Sequence, residues 1–346
     1  MSERKKRAAH LVFRRRLRHV VARTPAPAAR LARVLGCDAH SSLSQTDETF
    51  SVAKTKCQGC LRVTPGSTDG MTPEDVCAEL AAVAVERHGD ARVLFTAPHG
   101  VYLRREVVTA NGPAFETHVP ERWTSFIALA FAGAASGSSM TWHRAERERS
   151  KATGTFDPGH VDPNCVSADV AGAYNWGVLL RRFADGASFE KRATDDEFQT
   201  RAWFHVDVHG RRDPEVSRDT LGPGDVDIGT GALRADRPEL ADALGKALGR
   251  RLRAFFTRDA RPESPAFRVN ENPILRGARD DGRMTLSQQG VRLGLASVQL
   301  ELSLRLRLVL KDDPEMIQGF ARAVVGAWDD VASERFARSH GANFNE

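Results

Sequence analysis

Two segments of the sequence each end in a histidine followed by a glycine. One of them, AWFHVDVHG at residues 202–210, alternates apolar with polar residues. As a strand it places His205, Asp207 and His209 on one face. Consecutive residues on that face lie about 6.6 Å apart, so Asp207 and His209 can border one metal site, whereas His205, about 13 Å from His209, is too distant to join it. The alternative is that all three are ordinary polar residues on a half-exposed edge strand.

The other segment, RVLFTAPHG at residues 92–100, begins with an apolar run that is typical of a buried parallel strand. Pro98 has no amide hydrogen to donate, which predicts that the strand ends before it. In open α/β folds, binding sites lie at the edge of the sheet where the carboxyl ends of the strands meet. We therefore expect His99 and His209 to converge at that edge.

A third segment, ASVQLEL at residues 296–302, places Gln299 and Glu301 on the same face of a strand. A glutamate in the middle of a strand costs free energy to bury unless it is paired or near a metal. We interpret Glu301 as a general base or acid. The alternative is an ion pair with Arg305 or Arg307.

Two imidazoles, a carboxylate and a separate glutamate are the parts of a catalytic zinc site, which has three protein ligands and one open position for water. Zinc brings the pKa of bound water near 7, so no activated serine or cysteine is needed. The sequence contains no G-x-S-x-G motif, no P-loop and no G-x-G-x-x-G motif after a strand. Histidine and carboxylate ligands also suit manganese and iron.

The composition is that of a globular enzyme with an unusual amino-terminal arm. The chain has 346 residues, of which 41% are hydrophobic and 27% charged, and no segment approaches the run of about 18 apolar residues that a membrane span needs. Residues 1–36 carry a net charge of +10, which leaves −5 for the rest of the chain out of the total of +5. The basic character therefore belongs to the arm.

The arm is rich in arginine and alanine and nearly free of acidic residues, a composition that resembles an organelle transit peptide. The alternative is a polybasic tail that contacts RNA or an anionic membrane surface. Five cysteines without a disulfide framework predict an intracellular, reducing environment, mitochondrial or plastid if the arm is a transit peptide and otherwise cytoplasmic. Cys57 and Cys60 form a CxxC pair without two further zinc ligands at matching spacing.

The elements predict an arm and linker over residues 1–70 and one catalytic α/β domain over residues 71–340 with a mostly parallel or mixed sheet. Residues 101–123 and the segment FDPGHVDPNC at 156–165 have the composition of loops and turns. Periodicity and capping signals predict helices at 72–88, 123–135, 167–183, 238–256, 285–293 and 314–336.

Four short motifs occur in the order PHG at 98–100, DVHG at 207–210, DIGTG at 227–231 and RLGLASVQLEL at 292–302. Together they resemble the N-formylglutamate amidohydrolase family, which is distantly related in fold to zinc carboxypeptidases. The resemblance covers about residues 90 to 310. In that family the first motif usually reads PHSG, the second D-x-H-S and the last V-Q-L-E-L, so this chain lacks both serines.

The resemblance implies a three-layer α/β/α hydrolase with one zinc ion per chain, which cleaves an amide bond next to an amino-acid carboxylate. It makes His99 and His209 metal ligands and Glu301 the catalytic glutamate. For the carboxylate ligand we choose Glu106, although its distance of seven residues from His99 requires the intervening loop to fold back. Two other carboxylates remain as alternatives, Glu121 and Asp207.

A substrate carboxylate calls for a fork-shaped donor, which arginine provides. Arg105, Arg211 and Arg212 lie near the predicted site in sequence, and we choose Arg211, with solvated loop arginines as the alternative. The predicted activity is hydrolysis of an N-formyl or N-acyl amino acid, or of a terminal peptide bond, by metal-bound water with Glu301 as general base. The alternative is a catalytically altered homologue that acts as a binding protein and contacts nucleic acid only through its arm.

Overall fold

The computed structural model describes residues 82–109, 112–191, 203–213, 224–258, 266–271 and 277–341. The basic arm, the CxxC pair and the part of the predicted first helix that precedes residue 82 lie outside these ranges. Within the described ranges, no helix is both long enough and apolar enough to cross a membrane.

The described residues form one sheet of seven strands. In spatial order these are β1 (Val83–Arg87), β5 (Ser138–Trp142), β2 (Val93–Ala97), β7 (Phe204–Gly210), β11 (Ala296–Leu302), β8 (Val226–Gly229) and β9 (Val269–Asn270). The four central strands β5, β2, β7 and β11 are parallel, while β1 and β8 run antiparallel to their inner neighbours. The carboxyl ends of β2, β7 and β11 therefore meet at one edge.

Two small strand pairs lie outside this sheet: the hairpin of β3 (Leu103–Thr109) with β4 (Gly112–His118), and β6 (Val166–Ser167) with β10 (Arg283–Met284). The helices are α1 (Thr124–Ala134), α2 (Arg144–Thr153), α3 (Asn175–Lys191), α4 (Gly231–Asp236), α5 (Pro238–Arg258), α6 (Leu286–Arg292), α7 (Leu304–Asp312) and α8 (Pro314–Gly341). A short 3-10 turn, Ala171–Ala173, precedes α3.

Helices cover both faces of the sheet. Phe204, Val206 and Val208 of β7 belong to the larger core, which β7 shares with α1, α5 and α8. Leu94 of β2 points to the opposite face and joins a second core with Trp176 of α3 and Leu286 of α6. Because Val93 and Leu94, adjacent residues of β2, enter different cores, helices pack on both faces of the sheet and the fold has three layers, α/β/α, as the resemblance implies.

Strands β2, β7 and β11 and helices α1, α5, α6 and α8 agree with the sequence predictions to within a few residues at most boundaries. β7 is central and buried, so the alternative of a half-exposed edge strand is wrong. Helix α6 begins with a capping box, in which Thr285 and Gln288 satisfy each other's backbone amides.

Three predictions of local structure are wrong. Residues 83–87, assigned to the end of the first helix, form β1 and pair antiparallel with β5. Residues 101–123, assigned as a loop, contain the β3–β4 hairpin. The helix predicted from residue 167 begins at Asn175, after β6 and the 3-10 turn. In each case pairing with another strand outweighs local helix or loop propensity.

Candidate metal centre

Parallel pairing of β2 with β7 brings the two histidines together. Thr96 of β2 lies opposite Asp207 of β7, so His99 and His209 follow at the same edge of the sheet. Their rings meet edge to face with centroids 4.5 Å apart. The two Nδ1 atoms lie 3.1 Å from each other, and both residues are buried.

Glu121, on the loop between β4 and α1, supplies the carboxylate next to these histidines. Its backbone amide donates to the carbonyl oxygen of His99 at 2.8 Å, which holds the loop against the end of β2. Its Oε1 lies 2.7 Å from His99 Nδ1, and its Oε2 lies 3.5 Å from His209 Nδ1 and accepts from the amide of Gly210 at 2.7 Å. One atom from each of the three side chains lies within 4.8 Å of the other two, so the group could hold a metal ion.

The spacing suits zinc. Two nitrogens bound to a tetrahedral zinc at 2.0–2.1 Å lie about 3.3 Å apart. The observed separation of 3.1 Å between the Nδ1 atoms is close to that value. Two histidines and one glutamate are also a ligand set of known catalytic zinc sites, which keep a fourth position open.

A buried carboxylate lies beside the Nε2 atom of each histidine, on the side of the ring away from Glu121. His99 Nε2 lies 3.0 Å from Asp162 Oδ1, and His209 Nε2 lies 3.0 Å from Asp207 Oδ2. Since an ionised carboxylate only accepts, we assign a proton to each Nε2. Each Nδ1 faces Glu121, so it carries a second proton while its histidine is charged and would offer its lone pair to a metal ion. Asn164 Nδ2 lies 2.8 Å from His209 Nε2, but with both nitrogens protonated neither can accept from the other, so Asn164 donates to Asp207 Oδ2 at 3.5 Å.

The site has a negative potential that favours a cation. Burial alone would lower the pKa of His99, but the carboxylates of Glu121 and Asp162 outweigh it and raise this pKa to about 9. The pKa of His209 is also raised, because Asp207 and Glu121 outweigh its burial. Burial would raise the pKa of Glu121, but the two histidines hold it well below its usual range. The buried carboxylates therefore stabilise a positive charge between them, which either protons on the histidines or a metal ion can supply.

Glu301 lies directly across from His209 in the parallel pairing of β11 with β7, and it is buried. Gln299 Nε2 donates to Glu301 Oε1 at 2.5 Å, and burial raises the pKa of Glu301. The alternative ion pair of Glu301 with Arg305 or Arg307 does not form. Arg305 pairs with Asp225, and the guanidinium of Arg307 donates to backbone carbonyls, including that of Leu302 at 3.1 Å.

Arg211 follows β7 and lies mostly buried beside β8. Its Nε is 3.2 Å from Asp227 Oδ2, at ion-pair distance but outside hydrogen-bond geometry, and its Nη2 has no hydrogen-bond partner among the described residues. Asp227 in turn lies opposite Glu301 in the pairing of β8 with β11. Arg212 is exposed. Arg105 donates to Asp162 Oδ2 at 2.6 Å and so supports the outer carboxylate of His99.

The choice of Glu106 as the carboxylate ligand is corrected by this geometry. Adjacent residues of a strand point to opposite faces, and Arg105 points to Asp162. Glu106 therefore points away, with a side chain that is 47% exposed and 3.6 Å from Arg283. Of the two alternatives, Glu121 lies next to both histidines, and Asp207 lies 3.0 Å from His209 Nε2, on the side of the ring away from Glu121.

Three residues near the centre were missed as functional candidates. Asp162 and Asn164 belong to a segment interpreted only as turns, and the structure buries both side chains. The Asp-Pro-Asn sequence at 162–164 was the available signal for a polar group at this position. His118, at the end of β4, packs against His99 with ring centroids 4.1 Å apart and the rings tilted by 58°, and its Nε2 lies 3.5 Å from Glu121 Oε1. Nothing in the local sequence distinguishes His118 from a surface residue.

Comparison with known proteins does not assign the chain to a family. No protein-family model matches the chain, and no curated protein matches it. Among solved structures, the N-formylglutamate amidohydrolase from Ralstonia eutropha JMP134 is similar with a TM-score of 0.35 and 13% sequence identity, over 73% of this chain and 98% of that chain. A similarity of this size carries no functional conclusion, so the function has to be inferred from the site itself.

Proposed function

We propose that this protein is a zinc-dependent hydrolase that cleaves the amide bond of an N-acyl amino acid, such as an N-formyl amino acid, or of a similar carboxylate substrate. The observation that carries the proposal is the arrangement of His99, His209 and Glu121. Both Nδ1 atoms face the Glu121 carboxylate, and each Nε2 is held by a separate buried carboxylate. Ligand histidines in metal enzymes are fixed in this way.

Zinc held by His99, His209 and Glu121 would act as a Lewis acid and would bring the pKa of water near 7. Glu301 is the group that accepts and returns the proton. It is buried on the same face of the sheet as His209, and burial raises its pKa, which moves a carboxylate toward the range useful for proton transfer near neutrality. Gln299 holds one carboxylate oxygen and leaves the other to receive the proton.

Arg211 is the group proposed to bind the substrate carboxylate. Its Nη2 is buried without a hydrogen-bond partner in the described part of the chain, and an unsatisfied guanidinium N–H is costly to bury. A substrate carboxylate would satisfy it through a charge-assisted hydrogen bond. Asp227 keeps the guanidinium beside β8, close to the strand that carries Glu301.

Zinc content of Glu121→Gln and Glu106→Gln tests the ligand set. Both changes remove one negative charge from a glutamate, but only Glu121 lies at the histidine pair. After chelator treatment and zinc reloading, we expect about one zinc per chain in the wild type and in Glu106→Gln, with a large loss of affinity in Glu121→Gln. Retention of zinc by Glu121→Gln together with its loss from Glu106→Gln would overturn the assignment.

Turnover of a panel of N-acyl amino acids by Glu301→Gln tests the reaction. Removal of the proton acceptor should lower kcat by about 10²- to 10⁴-fold. Zinc content should stay at the wild-type level, because Glu301 is not one of the three ligands. Wild-type protein that binds zinc but hydrolyses none of the panel would instead support a catalytically altered homologue that acts as a binding protein.

A further inference from the structure

His205 is a buried imidazole that the proposed reaction does not use. It lies on β7, on the same face as Asp207 and His209, and its relative exposure is 0%. Burial lowers its pKa to about 4, so the ring is neutral near neutral pH. A neutral imidazole has one N–H donor and one acceptor nitrogen, and both need partners in a site without solvent.

Both nitrogens have partners on neighbouring strands. His205 Nε2 lies 3.0 Å from Thr96 Oγ1 of β2, and His205 Nδ1 lies 2.5 Å from Ser297 Oγ of β11. Thr96 Oγ1 also lies 2.7 Å from Asp207 Oδ1. Thr96, Ser297 and Asp207 are each 0% exposed, so water does not reach these contacts.

The direction of each hydrogen bond follows from the charge on Asp207. Thr96 has a single hydroxyl proton, and the ionised Asp207 carboxylate can only accept, so Thr96 donates to Asp207. Thr96 Oγ1 must then accept from His205, which places the ring proton of His205 on Nε2. Nδ1 of His205 is left to accept from the hydroxyl of Ser297.

These contacts continue to the metal centre. Asp207 uses Oδ1 for Thr96 and Oδ2 for Nε2 of His209, whose Nδ1 faces Glu121. The buried hydrogen-bond network therefore joins Ser297, His205, Thr96, Asp207 and His209 in order, with one donor and one acceptor in each contact.

Helix α6 covers this network closely. A Cβ at Gly290 would lie 2.7 Å from His205 Nδ1 and 3.0 Å from Ser297 Oγ, so only glycine leaves room there. Helix α6 therefore passes directly over the bond between His205 and Ser297. That bond is held on one side by the sheet and on the other by the helix.

We propose that Thr96 and His205 are positioning residues for the metal ligand His209: they hold the carboxylate of Asp207 in the orientation that keeps Nδ1 of His209 directed at the metal centre. This rests on the proposed function, because it assigns His209 as a ligand. Hydrogen bonds behind a ligand histidine fix both its tautomer and its ring orientation.

The test compares Thr96→Val, which keeps the shape of the side chain but removes the hydroxyl, with Thr96→Ser, which keeps the hydroxyl. Zinc affinity of the purified, metal-free full-length protein is measured by competition with a chromogenic chelator. We expect Thr96→Val to weaken zinc binding by about 10-fold or more, and Thr96→Ser to restore it to within about threefold of wild type. Ser297→Ala, at the far end of the network, should have a smaller effect.

A merely structural role would lower the melting temperature of metal-free Thr96→Val and leave zinc affinity unchanged, and that result would overturn the proposal. Nitrogen-15 NMR of the imidazoles in the metal-free wild type separates this failure from failure of the zinc assignment. If the wild type binds no zinc but His205 carries its proton on Nε2, the proposed function is refuted while the assigned hydrogen-bond network stands. A proton on Nδ1 of His205 would refute the network itself.

Discussion

The replacement Asp162→Asn removes the charge that holds His99 without removing the side chain. Asp162 accepts from three donors: Nε2 of His99 at 3.0 Å, the amide of Asn164 at 2.9 Å and Nε of Arg105 at 2.6 Å. An asparagine has one acceptor oxygen for these donors, and its NH₂ group would oppose another of them. We therefore expect His99 to lose its fixed orientation, and the pKa of His99, which Asp162 raises, to fall.

The magnitude follows from the role of Asp162 behind a ligand. Loss of such an outer carboxylate typically weakens metal affinity by about 10- to 100-fold, which corresponds to about 1.4–2.8 kcal/mol. Asp162→Ala should also lower the free energy of unfolding of the metal-free protein by about 2–4 kcal/mol, because buried donors would be left unsatisfied. Arg105 is partly exposed, and water at its guanidinium reduces that cost.

Zinc affinity by chelator competition and urea denaturation of the metal-free protein check the two effects separately. Asp281→Asn is the matched control, because Asp281 also accepts from an arginine, Arg279, but its side chain is 48% exposed. It should change zinc affinity by less than about twofold. Wild-type zinc affinity in Asp162→Asn would refute the reasoning, since His99 would then bind metal without its outer carboxylate.

Two further predictions concern Arg211 and the pH dependence of stability. Arg211→Gln should raise the KM for a substrate with a free carboxylate by about 10- to 100-fold, with little change in steady-state KM for the exposed control Arg212→Gln; equal KM values in the two variants would contradict the role of Arg211. Folding raises the pKa of His99 from 6.5 to about 9, so protonated His99 stabilises the folded metal-free protein. This stabilisation is complete below about pH 6.5, and the protein should lose it as the pH rises to about 9. Urea denaturation across this range checks it, and His99→Gln should flatten the dependence.

The sequence was most informative where a strand carries its own signal. The alternation in β7 and β11 and the apolar run of β2 predict these strands, the fold class and the faces on which His209 and Glu301 lie. Strong amphipathic periodicity and capping signals did the same for α5 and α6. β1 and the β3–β4 hairpin could not be assigned in this way, since their pairing partners decide their structure.

The metal centre was only partly predictable from the sequence. His99 and His209 stand directly after the carboxyl ends of predicted parallel strands, so their position follows from the general geometry of such sheets. The carboxylate next to them does not, because Glu121 lies 22 residues after His99 on a loop whose path depends on the β3–β4 hairpin. Glu106 is closer in sequence but lies on the wrong face of β3.

The sequence by itself determined the elements whose periodicity is local: the central strands, the long helices and the residue types that can bind a metal. Only the tertiary structure decided which carboxylate joins the two histidines and which polar side chains stand behind them. The physical reason is that strand order and register bring Thr96, Asp207 and Ser297 together from three separate strands. Such contacts depend on pairing between distant segments, and no local pattern encodes that pairing.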